Sequence, residues 1–290
     1  MLDRVKLSIC SLVRNEWQYL EEWIEYHRML GCERFYLYDD GSDDETLDLA
    51  SSIEGVVARS WSDGDHAEYR ASDAGAWRDS SQVTAFNHWI KNHRYESEYV
   101  AFIDPDEYMY HSRLNDLRYH MPYRVAEAAR WLPWYFFGDN GHIDQPHGLT
   151  IREYTRRGRF LEPHPYGRMG KIVAESCKLD HFGPYGPHNA EFSHGYAADD
   201  SQSMVRKAYY SVPKEGCWKL CHYAHRSRND CANKLVRGNR NLPRGTVYNI
   251  RLERCNLCDV EDRCMEPHWM KLKYLMEHSG GRWVRRKASG

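Results

Sequence analysis

The chain has 290 residues, with 40 Lys+Arg against 42 Asp+Glu and a net charge of -2. That balance disfavours a protein that grips a nucleic-acid backbone by bulk charge, despite Arg-rich patches at 156–159 and 282–287. Hydrophobic residues at 41% and charged residues at 28% exclude a disordered or fibrous chain. No apolar run approaches the roughly 18–20 residues that span a bilayer. The N-terminus runs straight into a strand-like pattern, so a soluble, cytoplasmic protein without a membrane anchor is expected. The 21 Tyr and 10 Trp offer flat apolar faces with polar handles, which suit sugars as well as an ordinary aromatic core. Of nine cysteines, Cys10, Cys32 and Cys177 stand alone and read as buried small hydrophobes, while six crowd the last third. A chain of this length needs no disulfide framework, so reduced thiols are expected.

Residues 5–13 alternate with period two and predict a strand, with Leu7, Ile9 and Ser11 on one face. From Glu16 the period turns helical. Trp17, Leu20, Ile24, His27 and Leu30 form one stripe, Glu21, Glu22 and Glu25 lie outside it, and Gly31 stops the helix. A second strand at 34–38 runs into the acidic turn Asp39–Glu45, a helix at 44–53 follows, and a third strand occupies 56–61. Alternation of this kind predicts βαβ units on a parallel sheet, hence an α/β fold. A helix at 79–93 leads to the apolar run 99–103, a buried central strand. Further strands are expected at 130–137, 149–154, 171–175 and 218–223, with helices at 227–237 and 267–277. The stretch 181–200, rich in Gly, Pro, His and Asn, reads as a long loop. One domain over 1–238 with an extension at 239–290 packed on it is the economical division.

The chemistry concentrates where strands end, because open parallel sheets bind ligands beyond the carboxyl ends of their strands. Asp104-Pro105-Asp106-Glu107 follows the central strand. Two Asp one residue apart repel unless a cation compensates, and hard oxygen ligands suit Mg²⁺ or Mn²⁺, which also bind phosphate oxygens. A solvated acidic turn is the plain alternative. Asp39-Asp40-Gly41-Ser42-Asp43 ends the second strand, where a carboxylate can meet a nucleobase N–H or simply make a turn. Arg14-Asn15-Glu16 offers a cation at a helix start but lacks the glycines of a phosphate cradle. In His222-Tyr223-Ala224-His225-Arg226-Ser227, the His222 imidazole can complete the coordination of an ion held by Asp106, and Arg226 and Lys234 can neutralise phosphate. Ser227 is also a plain N-cap. Cys255 and Cys258, with Cys264 and His268, are compatible with a structural Zn²⁺ site, with unpaired thiols or with a disulfide.

Taken together, Ser11–Glu16, Leu20–His27, Leu30-Gly31 and Phe35–Asp43 resemble glycosyltransferase family 92 and its family 2-like relatives. Phe102–Tyr108 looks like that family's Asp-x-Asp followed by Glu and an aromatic. Trp134, Phe137-Gly138, Gly141-His142, Lys171–Val173 and His222–Lys234 are similar to its later blocks, so that the resemblance covers roughly residues 8–238. It implies a GT-A fold, a Rossmann-like mixed, mostly parallel sheet flanked by helices. It also implies a nucleotide-sugar donor, often UDP-galactose, a glycan acceptor, Mn²⁺ or Mg²⁺ at the Asp-x-Asp, and an inverting reaction. Carried over by position, Arg14, Glu16 and Asp40 would lie near the nucleotide, and Gln82 and Asn87 near the sugar. Lys171 joins the donor-binding set. Asp104 and Asp106 would hold the ion, with His222 as a further ligand. Pro105 replaces a usual small aliphatic, and Asp139-Asn140 stands where small residues are usual.

The expected reaction is a single displacement in which a carboxylate deprotonates the acceptor hydroxyl. Glu191 and Glu153 lead the candidates for that base, ahead of Asp180 and Glu175, and Trp131, Trp134, Tyr135 and Phe136 offer acceptor-stacking faces. Metal-dependent nucleotidyl or phosphoryl transfer, or a non-catalytic carbohydrate-binding module, are the competing readings.

Overall fold

The computed structural model describes residues 3–62, 64–65, 80–119, 126–159, 169–183, 185–206, 216–237 and 257–278. Strands β1 (Val5–Val13), β2 (Arg34–Asp39) and β3 (Val56–Ser60) run parallel, joined by helices α1 (Leu20–Met29) and α2 (Thr46–Ser52). Helix α3 (Ser81–His93) then leads to β4 (Ser97–Phe102), parallel to β1 on its other edge. The Ser80 hydroxyl starts α3 by accepting from the Val83 N–H.

The rest of the chain departs from alternation. Strands β5 (Glu107–His111) and β6 (Glu127–Phe136) precede a four-residue helix α4 (Thr150–Glu153) and β7 (Arg156–Arg157). Next come β8 (Gly170–Glu175), β9 (Leu179–Phe182), β10 (Ala190–Phe192), β11 (Tyr196–Ala198) and β12 (Met204–Val205). Strand β13 (Trp218–His222), helix α5 (Arg228–Arg237), β14 (Val260–Glu261) and helix α6 (Glu266–His278) complete the described part. The main sheet runs β12-β11-β6-β8-β4-β1-β2-β3. Strand β8 is antiparallel to both β4 and β6, while β6 turns its last residues to a parallel pairing with β13, whose other edge takes β5 antiparallel.

Two cores cover the two faces of this sheet. On one, Leu7, Ile9, Phe35, Leu37 and Ala101 pack against Leu20, Trp23 and Ile24 of α1, with Leu272 and Met276 of α6 beyond. On the other, Cys10, Tyr36, Val100, Phe102 and Ile172 meet Val83, Phe86, Trp89 and Ile90 of α3. The expected mixed, mostly parallel sheet flanked by helices is therefore present. Among the described residues, no helix is long and apolar enough to cross a membrane. The boundary expected at 238/239 lies outside the described residues. The described part of the extension packs on the rest through β14 against β7 and α6 against α1.

Four expectations need correction. Residues 181–200 are not an open loop: the end of β9, a helical turn at 186–188, β10 and β11 fill them, short pieces whose Gly and Pro boundaries hide their pairing. Cys177 is exposed, on a turn that lifts it out of the sheet. Residues 149–154 are a helical turn rather than a strand, and the cause lies far away in sequence. The Glu22 carboxylate accepts from Thr150 N and Oγ1 (2.9 Å each) and from Ile151 N (3.3 Å), capping that turn from α1. Glu22 is therefore buried rather than on the solvent side of α1.

Burial raises the Glu22 carboxyl from an ordinary 4.5 to about 7, against the opposing effect of the Thr150 and Ile151 donors. The folded state thus holds this proton where the unfolded chain releases it. Its contribution to stability is complete below the unfolded value and is lost as pH rises through about 7. Thermal unfolding should show a Tm that falls from about pH 5 to about pH 8, with Glu22→Gln flattening that slope, a difference of order 3 kcal/mol at most. An unchanged slope in the variant would contradict the assignment.

Candidate functional site

The apolar run of β4 ends in a four-residue turn. Glu107 N donates to the Asp104 carbonyl (3.0 Å), and Asp104 N donates back to Glu107 Oε2 (2.8 Å). Pro105 holds the second position of this turn, where its fixed φ fits. The result points Asp104 and Asp106 out beyond the carboxyl end of the sheet. Asp104 Oδ1 accepts from Lys171 Nζ (3.0 Å), on β8, and from the Gln82 amide, on α3. Asp106 Oδ2 accepts from Lys234 Nζ (2.7 Å), on α5, while Oδ1 lies 3.3 Å from His222 Nε2, at the end of β13. Tyr223 N donates to the Asp106 carbonyl (2.8 Å), seating β13 against the turn.

Charge is what makes this arrangement possible. Burial would raise the Asp106 carboxyl, but Lys234, then His222 and Arg226, outweigh it and hold the group well below the ordinary carboxylate range. Glu107 goes the other way: burial, then the Asp104 charge, pushes it well up. Lys171 is buried and yet raised, because Asp104 and Glu107 outweigh its desolvation.

The residues also fit a hard divalent cation. The 3.3 Å between His222 Nε2 and Asp106 Oδ1 is close to the about 3 Å that separates neighbouring ligand atoms around a small octahedral ion. Behind the imidazole, His222 Nδ1 faces Glu107 Oε1 at 4.0 Å, and both atoms are buried without a hydrogen-bond partner among the described residues. A carboxylate behind the ring is how ligating histidines are commonly oriented. Among the described residues no group of three or more His, Cys, Asp or Glu side chains is arranged to hold a metal ion.

Arg226 takes a different part from the one its sequence position suggests. It is fully buried at φ 51°, and its guanidinium is committed to the protein. It donates to Glu16 Oε2 (2.7 Å) and to the Pro105 carbonyl (3.1 Å), and it lies 3.6 Å over the Tyr19 ring. Glu16 N in turn donates to Thr46 Oγ1 (2.7 Å). Ser227 and Asp230 exchange hydrogen bonds as a capping box at the start of α5, and Asp230 also accepts from the Tyr19 hydroxyl (2.6 Å). Arg226 is thus a strut beneath the turn rather than a phosphate contact.

The other expected residues separate clearly. Arg14 is half-buried at the end of β1, and Asp40 is buried after β2, its N–H held by the Val13 carbonyl (2.9 Å). Asn15, at φ 53°, exchanges hydrogen bonds with Asp43 and donates its N–H to the Ser42 hydroxyl oxygen, joining the two loops beside them. Asn87 is committed elsewhere: both ends of its amide bind the Phe182 backbone (2.7 and 2.9 Å), fixing β9 to α3. Glu153 ends α4, 4.0 Å from Arg152 Nε. Glu191 lies on β10 opposite His181. Trp134 and Phe136 bracket the His222 ring at 4.6 and 4.9 Å between centroids, whereas Trp131 and Tyr135 are core residues. His188, unremarked in the sequence, stacks edge-on against Trp134 at 5.0 Å with Nδ1 on the Gly170 carbonyl (3.0 Å). Its position inside a Gly/Pro stretch gives no signal. Glu107 is part of the acidic motif read from the sequence, without a role of its own there.

Among the described residues, Cys258, Cys264 and His268 are held by separate partners. Cys255 lies outside the described residues. Cys258 is 3.9 Å from Asn140 Oδ1, Cys264 meets Cys221, and His268 meets Tyr26 and Asn115. Of the two Arg-rich patches, Arg157 is paired with Asp262 (2.6 Å) and Arg156 with the Cys258 carbonyl (2.8 Å). The patch at 282–287 lies outside the described residues.

Removing the strut should be costly. Arg226→Met leaves Glu16 buried without its cation, and urea unfolding should show a loss of about 3–5 kcal/mol. A loss below about 1 kcal/mol, the range of an exposed pair, would overturn that role.

Comparison with known proteins places the sequence in a family. The family model described as Glycosyltransferase family 92 matches residues 4–235. A glycosyltransferase family 92 protein of Oryza sativa subsp. japonica is 27% identical over 164 residues, covering 54% of this chain and 26% of the relative. One from Ricinus communis is 32% identical over 107 residues (36% and 17%), and one from Arabidopsis thaliana 33% over 108 residues (36% and 16%). The matched region is thus about a quarter or less of each relative's length. A solved structure titled "Crystal Structure of a Mycobacterial Protein" aligns over 65% of this chain and 57% of its own, at 14% identity and a TM-score of 0.32, a likeness too weak to assign a fold. The family match spans the strand-end loops, the acidic turn and its cation partners alike, and the chain belongs to glycosyltransferase family 92.

Proposed function

We propose that the chain is an inverting, metal-dependent glycosyltransferase of GT-A fold that moves a sugar from a nucleoside-diphosphate donor to a hydroxyl of a glycan acceptor. UDP is the favoured nucleotide and galactose the favoured sugar, on the strength of the family resemblance. The observation that carries the reading is the turn at Asp104–Glu107. Two carboxylates stand at the mouth of the sheet, each already matched to an ammonium, Lys171 and Lys234, with His222 beside them.

Asp104, Asp106 and His222 would hold Mn²⁺ or Mg²⁺. When bound, such an ion offsets the charge of a leaving diphosphate. Lys171 and Lys234 add positive charge at the same place, and Gln82 orients Asp104. Arg14 and Asp40 stand at the strand ends where the nucleotide would lie, while Glu16 beside them is taken up by Arg226. Trp134 and Phe136 supply an apolar wall for a sugar face. The acceptor oxygen attacks the anomeric carbon as the bond from that carbon to the diphosphate oxygen breaks, and a carboxylate takes the hydroxyl proton. Glu191, on β10, and Glu153, at the end of α4, are the two candidate bases. Glu153 belongs to the helix capped by Glu22.

The test is a donor-hydrolysis and transfer screen over nucleotide sugars, with and without Mn²⁺. Release of nucleoside diphosphate is expected, and release of pyrophosphate would instead mean nucleotidyl transfer. Asp106→Asn should lower kcat about a hundredfold or more while the protein stays folded. Wild-type turnover that neither Mn²⁺ nor this substitution alters would overturn the reading.

A further inference from the structure

Two thiols that the proposed reaction does not use face one another behind the site. Cys221 Sγ and Cys264 Sγ are 3.9 Å apart. Cys221 is fully buried on β13, one residue before His222, and Cys264 is half-buried between β14 and α6. Their approach is fixed by contacts on both sides. Asp262 Oδ2 takes Lys219 Nζ (3.1 Å), two residues before Cys221 on the same strand, and Arg157 Nε (2.6 Å). Asp262 Oδ1 accepts the Cys264 N–H (3.0 Å). On the other side Met265 is buried, its Sδ 3.6 Å from the Tyr26 hydroxyl. The two segments therefore hold a set register at this point.

We propose that Cys221 and Cys264 are an oxidative modification site, a reversible disulfide that joins the strand carrying His222 to the segment carrying α6. An S–S bond of about 2.05 Å requires the sulfurs to close by about 2 Å, which rotation of a half-buried cysteine side chain supplies. A small disulfide such as oxidised glutathione is the oxidant. The Cys264 thiolate attacks one of its sulfurs, and one glutathione thiolate leaves. The Cys221 sulfur, giving up its proton, then attacks Cys264 Sγ and expels the second. Two protein thiols are oxidised, one small disulfide is reduced to two thiols, and the two thiol protons end on the glutathiones. Cys264 reacts first because it is the more accessible.

This site stands on its own geometry and not on the transferase reading, and its test needs no activity. The full chain is incubated with oxidised glutathione and digested without reduction, and the peptides are mapped by mass. A cross-linked pair containing Cys221 and Cys264 is expected, lighter by two hydrogens than the two free peptides. Dithiothreitol should reverse it, Cys264→Ser should abolish it, and the linked protein should melt at a higher temperature than the reduced one. Absence of that link, or pairing of either thiol with Cys217, Cys258 or another cysteine instead, overturns the proposal. Mapping of the wild-type chain decides the matter even if the variant fails to fold.

Discussion

The guanidinium of Arg226 donates to the Glu16 carboxylate and to the Pro105 carbonyl, and both bonds are made away from water. Glu16 belongs to the connection after β1, Pro105 to the turn after β4, and Arg226 itself to the connection after β13. Strand pairing alone places these three loops at one end of the sheet. Arg226, over the Tyr19 ring, ties all three together at one point. A buried ion pair need not add net stability over apolar packing, but it discriminates strongly against arrangements in which one partner is left alone. Arg226 also adopts a left-handed backbone conformation, which costs a non-glycine residue about 1 kcal/mol or more and is tolerated where surrounding contacts fix it.

The electrostatics of the site follow from that geometry. Asp104, Asp106 and Glu107 lie on four consecutive residues, so their charges cannot separate. Each carboxylate of the pair has its own ammonium, and Glu107, deepest of the three, is pushed toward the neutral form. Lys171 comes from β8 and Lys234 from α5, elements that reach the turn from opposite sides. The site thus combines strong fields of both signs, with two ammonium groups aimed at the carboxylates of the turn.

The regular half of the fold was legible because its signals are local. Strand and helix periods alternate cleanly from Val5 to Ser60, and the acidic turn follows the apolar run 99–103. Asp104, Asp106 and His222 could be singled out because titratable side chains sit where strands end, and Lys234 because it follows His222 in the same segment. The remainder was hidden for physical reasons. A Glu on the polar side of α1 gives no sign that it caps a turn over a hundred residues later. Asn87 looks like a free amide until the Phe182 backbone occupies both its ends. Short strands such as β10 and β11 are held by partners distant in sequence, so their own residues carry little period. Arg226 reads as an exposed cation because sequence records charge and not burial.

The proline between the two aspartates has a thermodynamic meaning. Ordering a backbone residue costs about 1–2 kcal/mol of conformational entropy. Pro105 arrives with one torsion already set, and the Asp104–Glu107 exchange of hydrogen bonds closes the turn with protein atoms alone. That ordering is completed when the chain folds, so an incoming ligand meets rigid oxygens and forfeits little of its binding energy to organising them.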